Sequence, residues 1–322
     1  MAKAGQETIF VSIASYRDVD CQWTIRDLFE KAAHPERIFI GVCWQWLPEV
    51  DGDCFDIATR PAQVRERRFH ISESRGACWA RAQAQALWQG EDYVLQLDAH
   101  HRFAEGWDRS LIDLLHRCPS ERPFISSIAL GFRPPRELSA AVPGKTVFKG
   151  FDSRSGIPAY FSNLPISAQD IAADRLLPNP LICGHFLFSP AAAAQDVPWD
   201  PYIHMKGDEI TRGARLWTRG WDGYVPSRHI LWHDWRRQGR AGGWRDDAQH
   251  HRLMALSQMR VRHLLGIETC SDAEALRDIG RFGFGTVRSI EDFQAYCGID
   301  FKQQTFGGPA VTGDFPPHPM LP

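Results

Sequence analysis

The residues best suited to chemistry lie in one run, Tyr93-Val94-Leu95-Gln96-Leu97-Asp98-Ala99-His100-His101-Arg102-Phe103. Its first five residues are mostly apolar, as in a buried strand, and it then breaks abruptly into carboxylate and imidazole. If strand geometry continues through Ala99, Asp98 and His100 project to one face, because side chains two apart share a side, and His101 faces away as a neighbour rather than a ligand. One oxygen and one nitrogen then converge on a single point. Mixed donors of this kind suit a divalent ion such as manganese, whose remaining positions a nucleotide's phosphates could fill. The competing role for Asp98 is a cap on the helix that starts near Gly106, with His100 an ordinary loop histidine. Asp-x-His alone does not separate the two.

Further candidates are spread along the chain. Arg75 stands at the start of an Ala-rich helix and Arg81 about two turns in; a cation at an amino-terminal end opposes the helix dipole, so Arg75 is better placed for an anion than for stability. Asp208 and Glu209 open a later helix, where two carboxylates either complement the dipole or face a cleft. A short strand ends in His233; His229 shares its face but belongs to no motif and reads as structural. Asp51, Asp53 and Asp56 read as turn carboxylates. The stretch 236–245 carries three glycines and four arginines in ten residues. It cannot pack as core, so it is either a solvated loop or part of a lid over phosphates, expected at 234–245, with Arg236 reaching the nucleotide.

These residues need a framework, and apolar periodicity supplies one. Strands are expected at 8–15, 38–44, 68–72, 93–97, 123–128 and 181–189, with helices at 21–33, 76–89, 106–118, 209–219 and 246–265. The break after Leu97 then falls at a strand's carboxyl end, where open α/β sheets place ligands. The β-α-β start lacks Gly-x-Gly-x-x-Gly, so a dinucleotide fingerprint is absent. Pro, Gly and Ser punctuate 131–180, which reads as a β-hairpin insertion. Two short helices follow at 271–279 and 289–296, and the tail from Gly307 reads as loose. The expected organisation is a catalytic domain over 1–265 and a small helical extension over 266–322.

Composition narrows the partners. A formal net charge of -2 gives no electrostatic reason to expect nucleic acid. No stretch approaches the roughly 20 apolar residues of a membrane span. The start of the chain has no apolar signal core, and eight cysteines occur without a Cys-x-x-Cys pair, so they read as reduced thiols of a cytoplasmic protein. The 12 tryptophans fit sugar or peptide contacts, and equally a bulky core.

Several separated motifs carry a resemblance. The segments 10–18 (Phe-Val-Ser-Ile-Ala-Ser-Tyr-Arg-Asp), 23–27 (Trp-Thr-Ile-Arg-Asp), 41–45 (Gly-Val-Cys-Trp-Gln), 74–81 (Ser-Arg-Gly-Ala-Cys-Trp-Ala-Arg) and 212–222 resemble the cytoplasmic hydroxyproline N-acetylglucosaminyltransferases and their bacterial relatives, over about residues 9–235 with a weaker echo near 284–301. More distantly the chain is similar to polypeptide N-acetylgalactosaminyltransferases, which share an Asp-x-His, a following Gly-Trp, a Gly-Gly-Glu-Asn segment and a later His with Arg three residues on. Here those positions read Asp98-Ala99-His100, Gly106-Trp107, Gly207-Asp208-Glu209-Ile210, and His233 with Arg236. Asp208 stands where that family has Gly and Ile210 where it has Asn, so sugar and acceptor contacts are expected to differ.

The resemblance implies an α/β fold of GT-A type, with a mixed central sheet flanked by helices, and a metal-dependent retaining transfer of a sugar, GlcNAc by the closer family, from a UDP-sugar to a hydroxyl-bearing acceptor. It implies Mn2+ or Mg2+ held by Asp98, His100 and His233. Nucleotide-sugar contacts fall on Ser15, Tyr16, Arg17, Gln45, Arg75, Arg81, Gln96, Trp107 and Arg236, and catalytic roles on Asp208 and Glu209. Such chemistry suits these residue types, since a metal and cations neutralise charge developing on a departing diphosphate. Two other readings compete. A metal-dependent nucleotide-sugar or phosphoester hydrolase would want a second metal and more clustered carboxylates; a non-catalytic UDP-sugar-binding module would not need both carboxylates and all three candidate ligands.

Overall fold

A computed structural model describes residues 7–55, 59–236 and 249–321. The chain opens with β1 (Ile9–Tyr16), α1 (Cys21–Lys31), β2 (Ile38–Trp46), β3 (Val64–His70), α2 (Ala77–Gln85) and β4 (Tyr93–Asp98). Strands β3, β2, β1 and β4 are parallel neighbours, and the middle ones read as largely apolar runs because helices cover the sheet on both faces. Helix α2 is Ala-rich on the face it buries, where Ala80 and Ala84 pack with Cys43. Gly41 permits that close approach, since a Cβ there would stand 2.9 Å from the Ala84 carbonyl oxygen.

After β4 come β5 (His101–Phe103), α3 (Trp107–Arg117), β6 (Pro123–Ser126), β7 (Leu130–Arg133), β8 (Glu137–Leu138) and a hairpin of β9 (Gly144–Phe151) and β10 (Pro158–Pro165). Helix α4 (Ala168–Ala172), β11 (Leu176–Pro178), β12 (Phe186–Pro190), α5 (Ala191–Asp196), α6 (Asp208–Thr218), β13 (Asp222–Pro226) and β14 (Leu231–His233) follow. The main sheet has eight strands in the order β11-β13-β6-β12-β4-β1-β2-β3, with β12 antiparallel to both β4 and β6. It is therefore mixed. A smaller sheet, β5-β14-β7-β8, stands beside the carboxyl end of β4.

The first core lies between the main sheet and α1 and α3, where Trp107 donates from Nε1 to the Leu28 carbonyl. Asp108 accepts from the Ala33 and His34 backbone amides and so ties the exit of α1 to the start of α3. The carboxyl-terminal elements are α7 (His250–Leu264), α8 (Ile279–Phe282), α9 (Ile290–Cys297), the pair β15 (Ile299–Asp300) and β16 (Thr305–Phe306), and α10 (Pro309–Thr312); α7, α9, β15 and α10 form the second core with α6 and the β9–β10 hairpin.

Four sequence expectations change in the structure. The strand expected at 68–72 runs earlier, Val64–His70, and Ile71–Glu73 is a tight turn closed by a reciprocal cap between His70 and Glu73. Only Phe186–Pro190 of the apolar run 181–189 is strand; the residues before it form a buried loop whose Cys183 amide donates to Ser126. The helix expected at 271–279 is a series of turns followed by α8. The tail from Gly307 is packed: Ala310 and Phe315 join the second core, Tyr296 donates to the Pro316 carbonyl, and the His318 ring meets the Gly223 carbonyl at 2.7 Å. The extension over 266–322 thus shares its core with the region before it. Of the expected lid, only Asp234, Trp235 and Arg236 fall within the described residues, and 237–245 lie outside them.

Candidate active site

Parallel pairing aligns the carboxyl ends of β1, β2 and β4 on one sheet edge, with Ala14 opposite Asp98 and Tyr16 opposite Gln45. The chain bends at Ala99, and β5 then pairs antiparallel with β14 so that His101 faces His233 in register. The Asp234 amide donates to the His100 carbonyl at 3.1 Å and locks this crossing. Asp98, His100 and His233 consequently each present one ligand atom, all within 4.8 Å of one another.

Each of the two imidazoles offers a buried nitrogen with no hydrogen-bond partner among the described residues. His100 Nδ1 meets Asp18 Oδ2 at 2.8 Å, which leaves Nε2 buried and with no hydrogen-bond partner among the described residues. His233 is 3% exposed, and neither ring nitrogen has a hydrogen-bond partner there. Its Nε2 stands 3.5 Å from Asp98 Oδ2, a charge contact too long and poorly aligned for a good hydrogen bond. Burial pushes the His233 pKa down to about 3, so the ring is neutral and its lone pair available. Burial alone would raise the Asp98 pKa; the His233 contact and the Arg81 charge outweigh it and hold the carboxylate well below its ordinary range.

His101 does not face away as strand alternation implied. The bend at Ala99 turns its ring to 4.9 Å from that of His233, and its Nδ1 lies 3.2 Å from the Asp98 carbonyl. His185 packs at 4.8 Å from His233, its Nε2 accepting from the Ala129 amide, and Trp235 lies at 4.2 Å. Burial holds the pKa values of His101 and His185 well below normal. These rings wall His233 in.

On the other flank, Arg81 reaches from α2 to two carboxylates, Nη1 to Asp208 Oδ2 at 2.6 Å and Nη2 to Asp98 Oδ1 at 3.2 Å. Its guanidinium rests over Trp199 and against Gly184. Glu209 accepts from the Gly184 amide at 2.8 Å, and burial together with the Asp208 charge raises its pKa. Of the two carboxylates at the α6 start, Asp208 is thereby paired with a cation, and Glu209 is biased toward its neutral form.

A cleft of about 560 Å³ connects these groups. Of the residues expected to contact nucleotide-sugar, Tyr16, Gln45 and Arg81 line it together with Asp98, His100, Asp208, Glu209 and His233. The others sit elsewhere. Ser15 is fully buried, its carbonyl accepting from Gln45; Arg17 is paired with Asp51 at 2.8 Å; Arg75 is exposed outside the lining. Gln96 is buried and accepts from Trp199, Trp107 is a core residue, and Arg236 is exposed beside Asp234, lining a separate depression. His229 stacks on Trp232, in keeping with a structural role.

Sequence reasoning missed Asp18, His185, His204, Lys206 and Trp235, all of which line the cleft. Asp18 carried a weak signal, closing the polar cluster after β1. His185 and Lys206 carried none, since nothing local marks a residue that a distant pairing brings to the site.

The donor set fits a divalent ion. One ionised carboxylate oxygen and two buried imidazole nitrogens with no other partners among the described residues are borderline ligands of the kind manganese and zinc accept, and His100 and Asp98 are each oriented from behind, by Asp18 and Arg81. Among the described residues no helix is long and apolar enough to cross a membrane.

A sequence model of the family described as Glycosyltransferase (GlcNAc) matches residues 8–59 and 48–303. No curated protein matches the chain in sequence. In structure it is similar to GalNAc-T7, solved with UDP, GalNAc and Mn2+, at a TM-score of 0.61 and 12% identity over 91% of this chain and 57% of that one. It is also similar to the mannosyltransferase PcManGT from Pyrobaculum calidifontis in complex with GDP-Man and Mn2+ (TM-score 0.47, 12% identity, 86% of this chain and 68% of that one). A third similarity is to S. aureus TarS 1-349 (TM-score 0.45, 11% identity, 85% and 70%). The chain spans 57% of the length of the GalNAc-T7 chain, and what the two share at this identity is the GT-A fold. With a mixed sheet of that fold and a family match over most of its length, this chain belongs to the Glycosyltransferase (GlcNAc) family and is an enzyme of glycosyl transfer.

Proposed function

We propose that this enzyme is a divalent-metal-dependent, retaining glycosyltransferase that moves GlcNAc from UDP-GlcNAc to a hydroxyl acceptor. The observation that carries the reading is the convergence of Asp98, His100 and His233 within 4.8 Å, with buried imidazole nitrogens that have no other hydrogen-bond partner among the described residues. The UDP and Mn2+ in the GalNAc-T7 structure, and the family's description, support the donor class. The resemblance to hydroxyproline-modifying enzymes makes peptide hydroxyproline the first acceptor to try. The eight free thiols, seven of them buried, support a reducing compartment, the cytoplasm.

The residues divide the work. Asp98, His100 and His233 would hold Mn2+ or Mg2+, which when bound supplies Lewis-acid neutralisation of the charge developing on the leaving diphosphate. Arg81 keeps Asp98 ionised and aims it, and anchors Asp208 at the cleft wall where it can orient sugar hydroxyls. Glu209, held neutral, retains a proton it can donate in a hydrogen bond to donor or acceptor. Tyr16 and Gln45 lie at the strand ends where a nucleoside would rest. Burial of the imidazole cluster keeps bulk water from a donor that would otherwise hydrolyse.

The test is Asp98→Asn, which keeps the shape and removes an anionic ligand. Manganese-dependent UDP affinity should fall and turnover of UDP-GlcNAc should cease, while the wild-type product, read from the anomeric coupling, keeps the α configuration. Undiminished manganese-dependent UDP affinity in the variant removes Asp98 from the site, and a β-linked product rejects retention.

A further inference from the structure

Behind the candidate ligand His100 stands the carboxylate of Asp18. Asp18 lies in the turn after β1, 82 residues away in sequence, and is 4% exposed. Its Oδ1 accepts the Asp20 amide at 3.0 Å, which fixes the carboxylate from its own backbone, and its Oδ2 meets His100 Nδ1 at 2.8 Å. An ionised carboxylate only accepts hydrogen bonds, so Nδ1 carries the proton. In that tautomer the lone pair is on Nε2, the buried nitrogen that has no hydrogen-bond partner among the described residues. The neighbouring His101 is arranged alike, with Nδ1 on the Asp98 carbonyl, yet among the described residues no carboxylate stands behind it at hydrogen-bonding distance.

Resting on the proposed function above, we infer that Asp18 is a positioning residue for metal binding: it sets the His100 tautomer, orients the ring and adds negative charge behind the ligand. Carboxylates placed in this way raise the basicity of a ligating imidazole, and their loss weakens metal affinity about 10- to 100-fold. The role couples two strand ends. The turn after β1 borders Tyr16, on the side of the cleft proposed for the nucleoside, while His100 follows β4.

The experiment uses the full chain and Mn2+ alone, without donor or acceptor. Free Mn2+ is read by electron paramagnetic resonance for wild type, Asp18→Asn, His100→Ala and the double variant; Asp18→Asn is nearly isosteric, so thermal unfolding should stay close to wild type. We expect the dissociation constant to rise about 10- to 100-fold in Asp18→Asn, and Asp18→Asn to add nothing once His100 is Ala, a pattern that a merely structural role would not produce. Nitrogen-15 spectra of the metal-free protein, with His100 assigned by its loss in His100→Ala, should report the Nδ1–H form in wild type and a tautomer mixture in Asp18→Ala. Wild type that binds Mn2+ with Asp18→Asn equal to it overturns this proposal alone, as does a His100 that carries its proton on Nε2. Wild type that takes up no Mn2+ overturns the metal reading and the proposal together.

Discussion

Replacing Gly184 by alanine tests whether the Arg81 bridge, rather than the mere presence of its charge, organises the site. A Cβ at this position would stand 2.7 Å from Arg81 Nη2 and 2.9 Å from both Cζ and Nη1. Ordinary contact lies near 3.5–4.0 Å, so the guanidinium must retreat by roughly 0.5–1 Å. An arginine on the surface would swing away at no cost, but this side chain is only 8% exposed and lies over Trp199. The bond to Asp98, already 3.2 Å, is the one that breaks, while the 2.6 Å bond to Asp208 can follow the movement. A lost hydrogen bond between charged groups costs about 1.5–3 kcal/mol. The Asp98 side chain is 26% exposed, so solvent screening reduces this to about 1–2 kcal/mol. In thermal unfolding the midpoint should drop by roughly 1.5–3 °C. Turnover should fall as well, with the Glu209 hydrogen bond to the Gly184 amide kept because it comes from the backbone. Unchanged melting and unchanged turnover in Gly184→Ala would refute the reasoning, since they would mean the cation holds both carboxylates from a displaced position.

Two further outcomes follow from the buried groups. His101, His185 and His233 are neutral in the folded chain, with pKa values lowered by burial, so unfolding takes up protons once the pH falls below the unfolded value of about 6.5. Their contribution to stability is full above that pH and declines toward the folded value, about 3 for His233. Glu209, raised by burial, works in the opposite sense over part of this range, which leaves a net gain of stability with pH. Urea unfolding of metal-free protein should show stability rising from pH 5 to 6.5 by up to about 3 kcal/mol per unit, from roughly 1.4 kcal/mol per net proton, and a flat or falling profile would contradict neutral imidazoles. Phe315 is 8% exposed and stacks on Tyr296 with ring centroids 5.7 Å apart, so Phe315→Ala should cost about 3 kcal/mol, near the lower limit for a buried ring, measured by the same method; no loss would mean that the tail does not support the second core.

What the chain's own order of residues determined is local. Largely apolar runs specified β1, β2 and β4, 3.6-residue spacing specified α1, α3 and α6, and the abrupt change after Leu97 put chemistry at a strand end, all because backbone periodicity and burial act over a few residues. The resemblance carried by separated motifs supplied the family and the choice of His233, which spacing could not. Tertiary structure decided the rest. Strand alternation turned His101 outward; the bend at Ala99 and the β5–β14 pairing brought it in. Gln96 and Trp107 lie among motif residues yet point into the interior, because which face of a strand or helix meets a cleft depends on what packs against it. The tail, rich in Pro and Gly and without any period, is held by single contacts of Ala310, Phe315 and His318 that no window reveals. Asp18 behind His100 and Arg81 between Asp98 and Asp208 join residues 82, 17 and 127 positions apart. Such meetings are fixed by strand order and helix packing, and a linear pattern carries no term for them.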